Sequence, residues 1–88
     1  MKFAFCLFKY FPFGGLQRGF LRIAEICLER GHQVDVYTGS WQGEIPDGLQ
    51  VSILPVRRLT NHRRYESFAK RLSKYLAARH YDAVVGFN

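Results

Sequence analysis

No apolar run in this 88-residue sequence exceeds six residues, Phe3 to Phe8, and that run stops at Lys9. A membrane-spanning helix needs about 20 such residues, so any bilayer contact is expected to be peripheral. The same run fails as a secretion signal, because no small-x-small cleavage site follows it. Cysteine is scarce, and Cys6 and Cys27 lie inside apolar patterns instead of a spaced framework. That usage fits two buried thiols in a reducing compartment, with a Cys6–Cys27 disulfide left open. No pair of histidines, cysteines or carboxylates has metal-ligand spacing, so no metal is expected. Repeats and low-complexity tracts are missing as well, and the 48% apolar content is that of an ordinary globular chain, which argues against disorder.

Acidic residues are nearly absent from one segment. Residues 57–80 hold eight basic side chains against Glu66 alone, a local charge of +7, while the whole chain carries +6. The basic excess therefore belongs to one stretch, and a one-signed surface of this kind points to an anionic partner.

What is present reads as alternating strands and helices. Phe3-Ala4-Phe5-Cys6-Leu7-Phe8 lacks alternation, the mark of a central strand buried on both faces. Leu16, Phe20, Ile23, Ala24, Cys27 and Leu28 build one face of a helix, which Gly31 closes in a left-handed conformation. Gln33 to Thr38 makes a second strand, completing a βαβ unit. The stretch 39–48, "GSWQGEIPDG", reads as a loop, and Leu49 to Leu54 as a short third strand ended by Pro55. Thr60 or Asn61 caps a second helix with the apolar face Tyr65, Phe68, Ala69, Leu72, Tyr75 and Leu76. Asp82 to Phe87 is a fourth strand. With no helix after it, part of the sheet lacks cover, so the chain is expected to be the amino-terminal piece of a longer protein; a complete four-strand domain is the alternative.

The loop "FPFGGLQRG" leaves the first strand where ligands of parallel α/β sheets sit. Gly14 and Gly15 remove side chains where a ligand approaches the backbone, and the N–H groups of Leu16, Gln17 and Arg18 are expected to face the crevice with the helix dipole behind them. A phosphate or diphosphate is the guest this favours, against a tight turn with no ligand. The glycines run G-G-x-x-x-G, so the dinucleotide fingerprint fails, and no acidic residue ends the second strand to hold a ribose. The lysine of a P-loop is missing too.

At this point "FCLFKYFPFGGLQRGFLRIA", "RGHQVDVYTGSWQGEIP", "TNH" and "VVGFN" resemble the amino-terminal part of the retaining family 4 glycosyltransferases of GT-B architecture, in particular those that glucosylate the lipopolysaccharide core. The resemblance runs over almost the whole chain. It implies a Rossmann-like parallel sheet with flanking helices, the partial acceptor-side domain of a two-domain enzyme whose second domain holds the nucleotide sugar. It implies transfer of glucose from UDP-glucose, as donor substrate and with no cofactor or metal, to an inner-core heptose of a lipid-anchored oligosaccharide, at the cytoplasmic face of the inner membrane. Gly14 and Gly15, with Leu16 and Gln17, match the family's donor-diphosphate loop. The family carries an acidic residue where this chain has Gly19, and its second-domain Arg/Lys pair and E-x7-E motif are absent here, so residues 1–88 alone are expected to be inactive.

Other residues keep two readings. Lys9, Tyr10 and Arg18 stand near the ligand-facing end of the first strand, as acceptor contacts or as an ordinary solvated loop. Trp41 stacks on a sugar or meets lipid headgroups, or simply packs. His62 contacts acceptor or caps and packs around the helix start. Arg63, Arg64, Lys70, Arg71 and Lys74 form the anionic-partner surface, with the anionic inner membrane as the expected partner. The competing class is a basic, non-catalytic module that binds nucleic acid or anionic membrane. Nucleic acid is not expected, because the helix aromatics fall at core spacing and no exposed aromatic platform is evident.

Overall fold

The computed structural model describes residues 1–54 and 61–87, with the backbone alone for residues 61–65. The elements follow as β1 (Lys2–Tyr10), α1 (Gly15–Glu29), β2 (Gln33–Trp41), β3 (Gln50–Ile53), α2 (Asn61–Ala77) and β4 (Ala83–Gly86). All strand pairs are parallel, in the spatial order β3-β2-β1-β4. β1 is central, as its unalternated apolar run predicts. Phe5 and Leu7 point into the larger core with Val34, Val36 and Phe20, while Ala4 points the other way, to Tyr37, Leu54 and Phe68. The sheet is thus covered by α1 on one face and α2 on the other, a Rossmann-like arrangement.

The helix stop at Gly31 is a Schellman motif. Gly31 takes φ +83, its N–H donates to the Leu28 carbonyl, and the His32 N–H reaches the Cys27 carbonyl, both at 3.0 Å. The buried stripe of α1 differs from the sequence expectation. Gln17, Phe20 and Ala24 are buried, whereas Leu16 and Ile23 are exposed. At 100° per residue, Leu16 and Ile23 lie about 80–100° away from the direction of Ala24, off the line that meets the sheet.

Two further expectations need correction. Trp41 is not in a loop: β2 continues through Gly39 and Ser40, because β1 also runs on and pairs Lys9 with Ser40 and Tyr10 with Trp41. Among the described residues of α2 the line Phe68, Leu72, Leu76 packs on the sheet, while Ala69 and Tyr75, expected inside, are exposed, the Tyr75 ring keeping a tilted contact with Tyr37 at 6.0 Å between centres. The cap at Thr60 and the packing of Tyr65 lie outside the described residues. Both cysteines are free. Cys27 packs with the α1-side core, whereas Cys6 shares the face of Ala4 by strand alternation. The sheet separates them, and burial pushes the Cys6 thiol up to about 11.

Candidate functional site

Chain order and strand order together fix where a ligand crevice lies. From β1 the chain steps outward through β2 to β3, then crosses back past β1 to lay down β4 on its far side. The direction of winding reverses at β1, and the crevice beyond the carboxyl ends at such a switch point is where open α/β sheets bind ligands. The segment Phe11 to Gly14 leaves β1 there.

Gly14 is the N-cap of α1, extended at φ −91° and ψ 145°, with no side-chain capping bond. The first helical bond runs from the Arg18 N–H to the Gly14 carbonyl at 3.0 Å. The N–H groups ahead of the helical ladder are therefore those of Gly15, Leu16 and Gln17. Arg18, included in the sequence reading, already has its partner, because the helix starts one residue earlier than its apolar pattern. No acidic side chain stands in the first turn, so no first-turn carboxylate offsets the positive end of the helix dipole. A methyl group built on Gly15 or on Gly19 meets no heavy atom within 4 Å among the described residues. Open space and unpaired donors coincide at Gly15.

Gln17 does not project into that space. Its side chain is only 9% exposed and its Nε2 donates to the Lys9 carbonyl oxygen at 3.3 Å. The signal available in the sequence is its offset: glutamine three residues after an N-cap is the reach-back position of a capping box. Tyr10 is also turned inward. It is 5% exposed, stacks on Trp41 with ring centres 3.9 Å apart, and lies 5.9 Å from the Phe20 ring. These two candidates for acceptor contact therefore form the aromatic floor under the loop, joined by Phe87 at 5.2 Å from Phe20. The Trp41 indole N–H is buried without a hydrogen-bond partner among the described residues. Lys9 and Arg18 are exposed, and the Lys9 ammonium lies 5.8 Å over the Phe8 ring.

The basic surface lies on the other face. Lys70, Arg71 and Lys74 are exposed on α2. Arg71 and Lys74 line a cleft of about 340 Å³ with Tyr75, Ile53 and Leu54. Ile53 and Tyr75 are 48% and 42% exposed, so apolar and cationic groups alternate along this edge. The side chains of His62, Arg63 and Arg64 lie outside the described residues. Sequence reasoning also missed a polar chain on this face. The Tyr81 hydroxyl donates to Asp35 Oδ2 at 2.8 Å and accepts from the Tyr37 hydroxyl at 2.6 Å. Burial first, then these bonds and the Asp35 charge, raise the Tyr81 phenol and keep it protonated. Among the described residues no three His, Cys, Asp or Glu side chains gather as a metal site, and no helix is long and apolar enough to cross a membrane.

Comparison with known proteins agrees with this fold. The lipopolysaccharide glucosyltransferase WaaG of Escherichia coli (strain K12) is 49% identical over all 88 residues, which amount to 24% of its own length. The crystal structure of WaaG, described as a glycosyltransferase involved in lipopolysaccharide biosynthesis, superposes with a TM-score of 0.94 at 49% identity, covering 98% of this chain and 23% of that one. The chain thus spans about a quarter of the length of these relatives. The Glycosyltransferase Family 4 model matches residues 13–88, beginning within the loop that bears the glycine pair. With most of its length matched by that model, the chain belongs to Glycosyltransferase Family 4.

Proposed function

We propose that this chain is the acceptor-side domain of a retaining GT-B glucosyltransferase that moves glucose from UDP-glucose to an inner-core heptose of a lipid-anchored lipopolysaccharide acceptor. The observation that carries the reading is 49% identity over the whole chain to a lipopolysaccharide glucosyltransferase. In the reaction the bond from the anomeric carbon to the diphosphate oxygen breaks, UDP leaves with the electron pair, and an acceptor hydroxyl bonds to that carbon and loses its proton. Negative charge builds on the diphosphate as it departs, and pre-aimed donors favour the transition state over the ground state. The first-turn N–H groups of Gly15, Leu16 and Gln17, backed by the α1 dipole, suit that task without a metal or cofactor. The nucleotide and the groups that complete catalysis belong to a second domain, so residues 1–88 by themselves turn nothing over.

The basic edge of α2 meets the anionic inner membrane on its cytoplasmic side, which brings the crevice to a lipid-anchored acceptor. Arg71 and Lys74 beside the exposed Ile53 and Tyr75, with Lys70 exposed on the same helix, support this part, since cations near an anionic surface each contribute about 1 kcal/mol and tyrosine suits the interface. The test is UDP release by the protein expressed from its complete reading frame, given UDP-glucose and a core-truncated lipopolysaccharide. Turnover that requires both substrates is expected. Absence of turnover with any sugar nucleotide, together with binding to anionic vesicles, would instead support a non-catalytic membrane module.

A further inference from the structure

The two adjacent glycines are glycine for different reasons. A methyl group on Gly15 meets open space, but one on Gly14 would overlap the Gln17 side-chain oxygen and stand 2.6 Å from the Phe11 ring edge and 2.8 Å from Gln17 Cδ. The place a Gly14 side chain would take is already filled by Gln17. From there the Gln17 amide nitrogen reaches the Lys9 carbonyl at the end of β1. One buried side chain therefore ties together three things: the last turn of the central strand, the N-cap glycine, and the first turn of the helix to which Gln17 itself belongs.

We infer that Gln17 is a positioning residue, which sets the distance and tilt of the α1 amino terminus relative to the carboxyl end of β1 and so aims the Gly15, Leu16 and Gln17 N–H groups at the donor diphosphate. This rests on the proposed reading that the loop receives that diphosphate. The Gln17 side chain is folded beneath the loop, away from the open space at Gly15, so its effect on a ligand there runs through the backbone it holds. Backbone donors act over a narrow range of distance and angle. A loop free to rock by a few tenths of an ångström loses donor affinity while the acceptor side is undisturbed. Glycine at position 14 and glutamine at position 17 form one device: the first makes room, the second fills it.

The experiment uses the protein expressed from its complete reading frame and compares Gln17→Met, Gly14→Ala, the double variant and Gly15→Ala. Methionine keeps the length and bulk of glutamine but donates no hydrogen bond. The readouts are UDP affinity by calorimetry, KM for UDP-glucose, KM for acceptor, and Tm. The loop of Gln17→Met must be drawn back into the geometry that one neutral hydrogen bond now holds, which limits the loss to about fivefold, so UDP affinity and donor KM should each worsen by up to about fivefold with acceptor KM unchanged. Gly14→Ala should give the same split, and the double variant should be little worse than either single one, because both act through one contact. A role in stability alone would lower Tm and kcat through the folded fraction and leave both KM values in place; that result overturns the inference. Gly15→Ala separates the two failures. If it weakens UDP binding while Gln17→Met does not, the positioning role is wrong and the diphosphate site stands. If neither variant affects UDP binding, or the wild type binds no UDP, the site reading falls and the positioning role with it.

Discussion

Replacing Gly14 or Gly15 by alanine adds the same methyl group to neighbouring positions, and the structure requires opposite effects on stability. At Gly15, the first residue of α1, the methyl meets nothing within 4 Å, and φ is not in the left-handed region. Alanine is the better helix former by about 1 kcal/mol in a helix interior and by less in the first turn, so Gly15→Ala should gain about 0.5 kcal/mol. At Gly14 the methyl displaces Gln17, costing its hydrogen bond to Lys9 at about 1 kcal/mol, and replaces a tolerated N-cap by a poor one at about 1 kcal/mol more. The two variants should therefore differ by about 2.5 kcal/mol. Urea unfolding of the 88-residue chain, followed by far-UV circular dichroism, reads this directly. With a slope of about 1 kcal/mol per molar urea, the two midpoints should stand about 2.5 M apart, with the wild type between them and nearer to Gly15→Ala. Midpoints displaced in the same direction would refute the assignment of different neighbours to the two glycines.

Phe20 has no exposed surface and its ring lies 5.2–6.2 Å from those of Phe5, Tyr10, Trp41 and Phe87, so Phe20→Ala should cost about 3–5 kcal/mol and leave the chain largely unfolded at 37 °C by circular dichroism. The chain itself should unfold with less than about 8 kcal/mol in urea, given its small core. Cys6 supplies a pH test: because its thiol is raised from 9.0 to about 11, the neutral form is held in the folded state, and stability is fully present below pH 9 and declines between pH 9 and 11. The decline amounts to about 2.7 kcal/mol at about 1.4 kcal/mol per unit, and Cys6→Ala should flatten the pH 9–10 part of the profile, above which Tyr81 contributes a loss of the same sign. Tyr81→Phe removes the acceptor of the buried Tyr37 hydroxyl, and denaturant titration should register a loss of about 1–3 kcal/mol.

Much of the fold was legible because each signal had one physical reading. The unbroken run at Phe3 to Phe8, too short for a core helix and without a cleavage site, reads as a strand buried on both faces, and Gly31 after a helical pattern reads as a left-handed stop. The α1 face was harder, since Leu16-Phe20-Ile23 and Gln17-Phe20-Ala24 are overlapping stripes that share Phe20. Only the docking of the helix on the sheet selects the second, and a polar residue at position 17 argued against it. The length of β2 was hidden for a similar reason. Gly39 and Ser40 look like loop residues, but Tyr10 and Trp41 carry the ladder past them by stacking across the strand pair. At the candidate site the glycine pair and a helix start with free first-turn N–H groups were visible from composition and order. The inward turn of Gln17 and Tyr10 was not, because it depends on which side of the strand end the helix lands.

The central place of β1 has a consequence for the chain while it is being made. Its partners lie far apart in sequence: Phe3 pairs with Val34 on one side and with Ala83 on the other. At ribosomal rates of about 5–20 residues per second, roughly 4–16 s separate the synthesis of β1 from that of β4. Throughout that interval the most apolar strand of the protein has one edge open, since the helix and strand that follow it protect only the other. A nascent chain of this family is thus exposed to strand pairing with its neighbours on a polysome for seconds, and ribosome-bound holdases that recognise extended, aromatic-rich segments should find their target in the first ten residues.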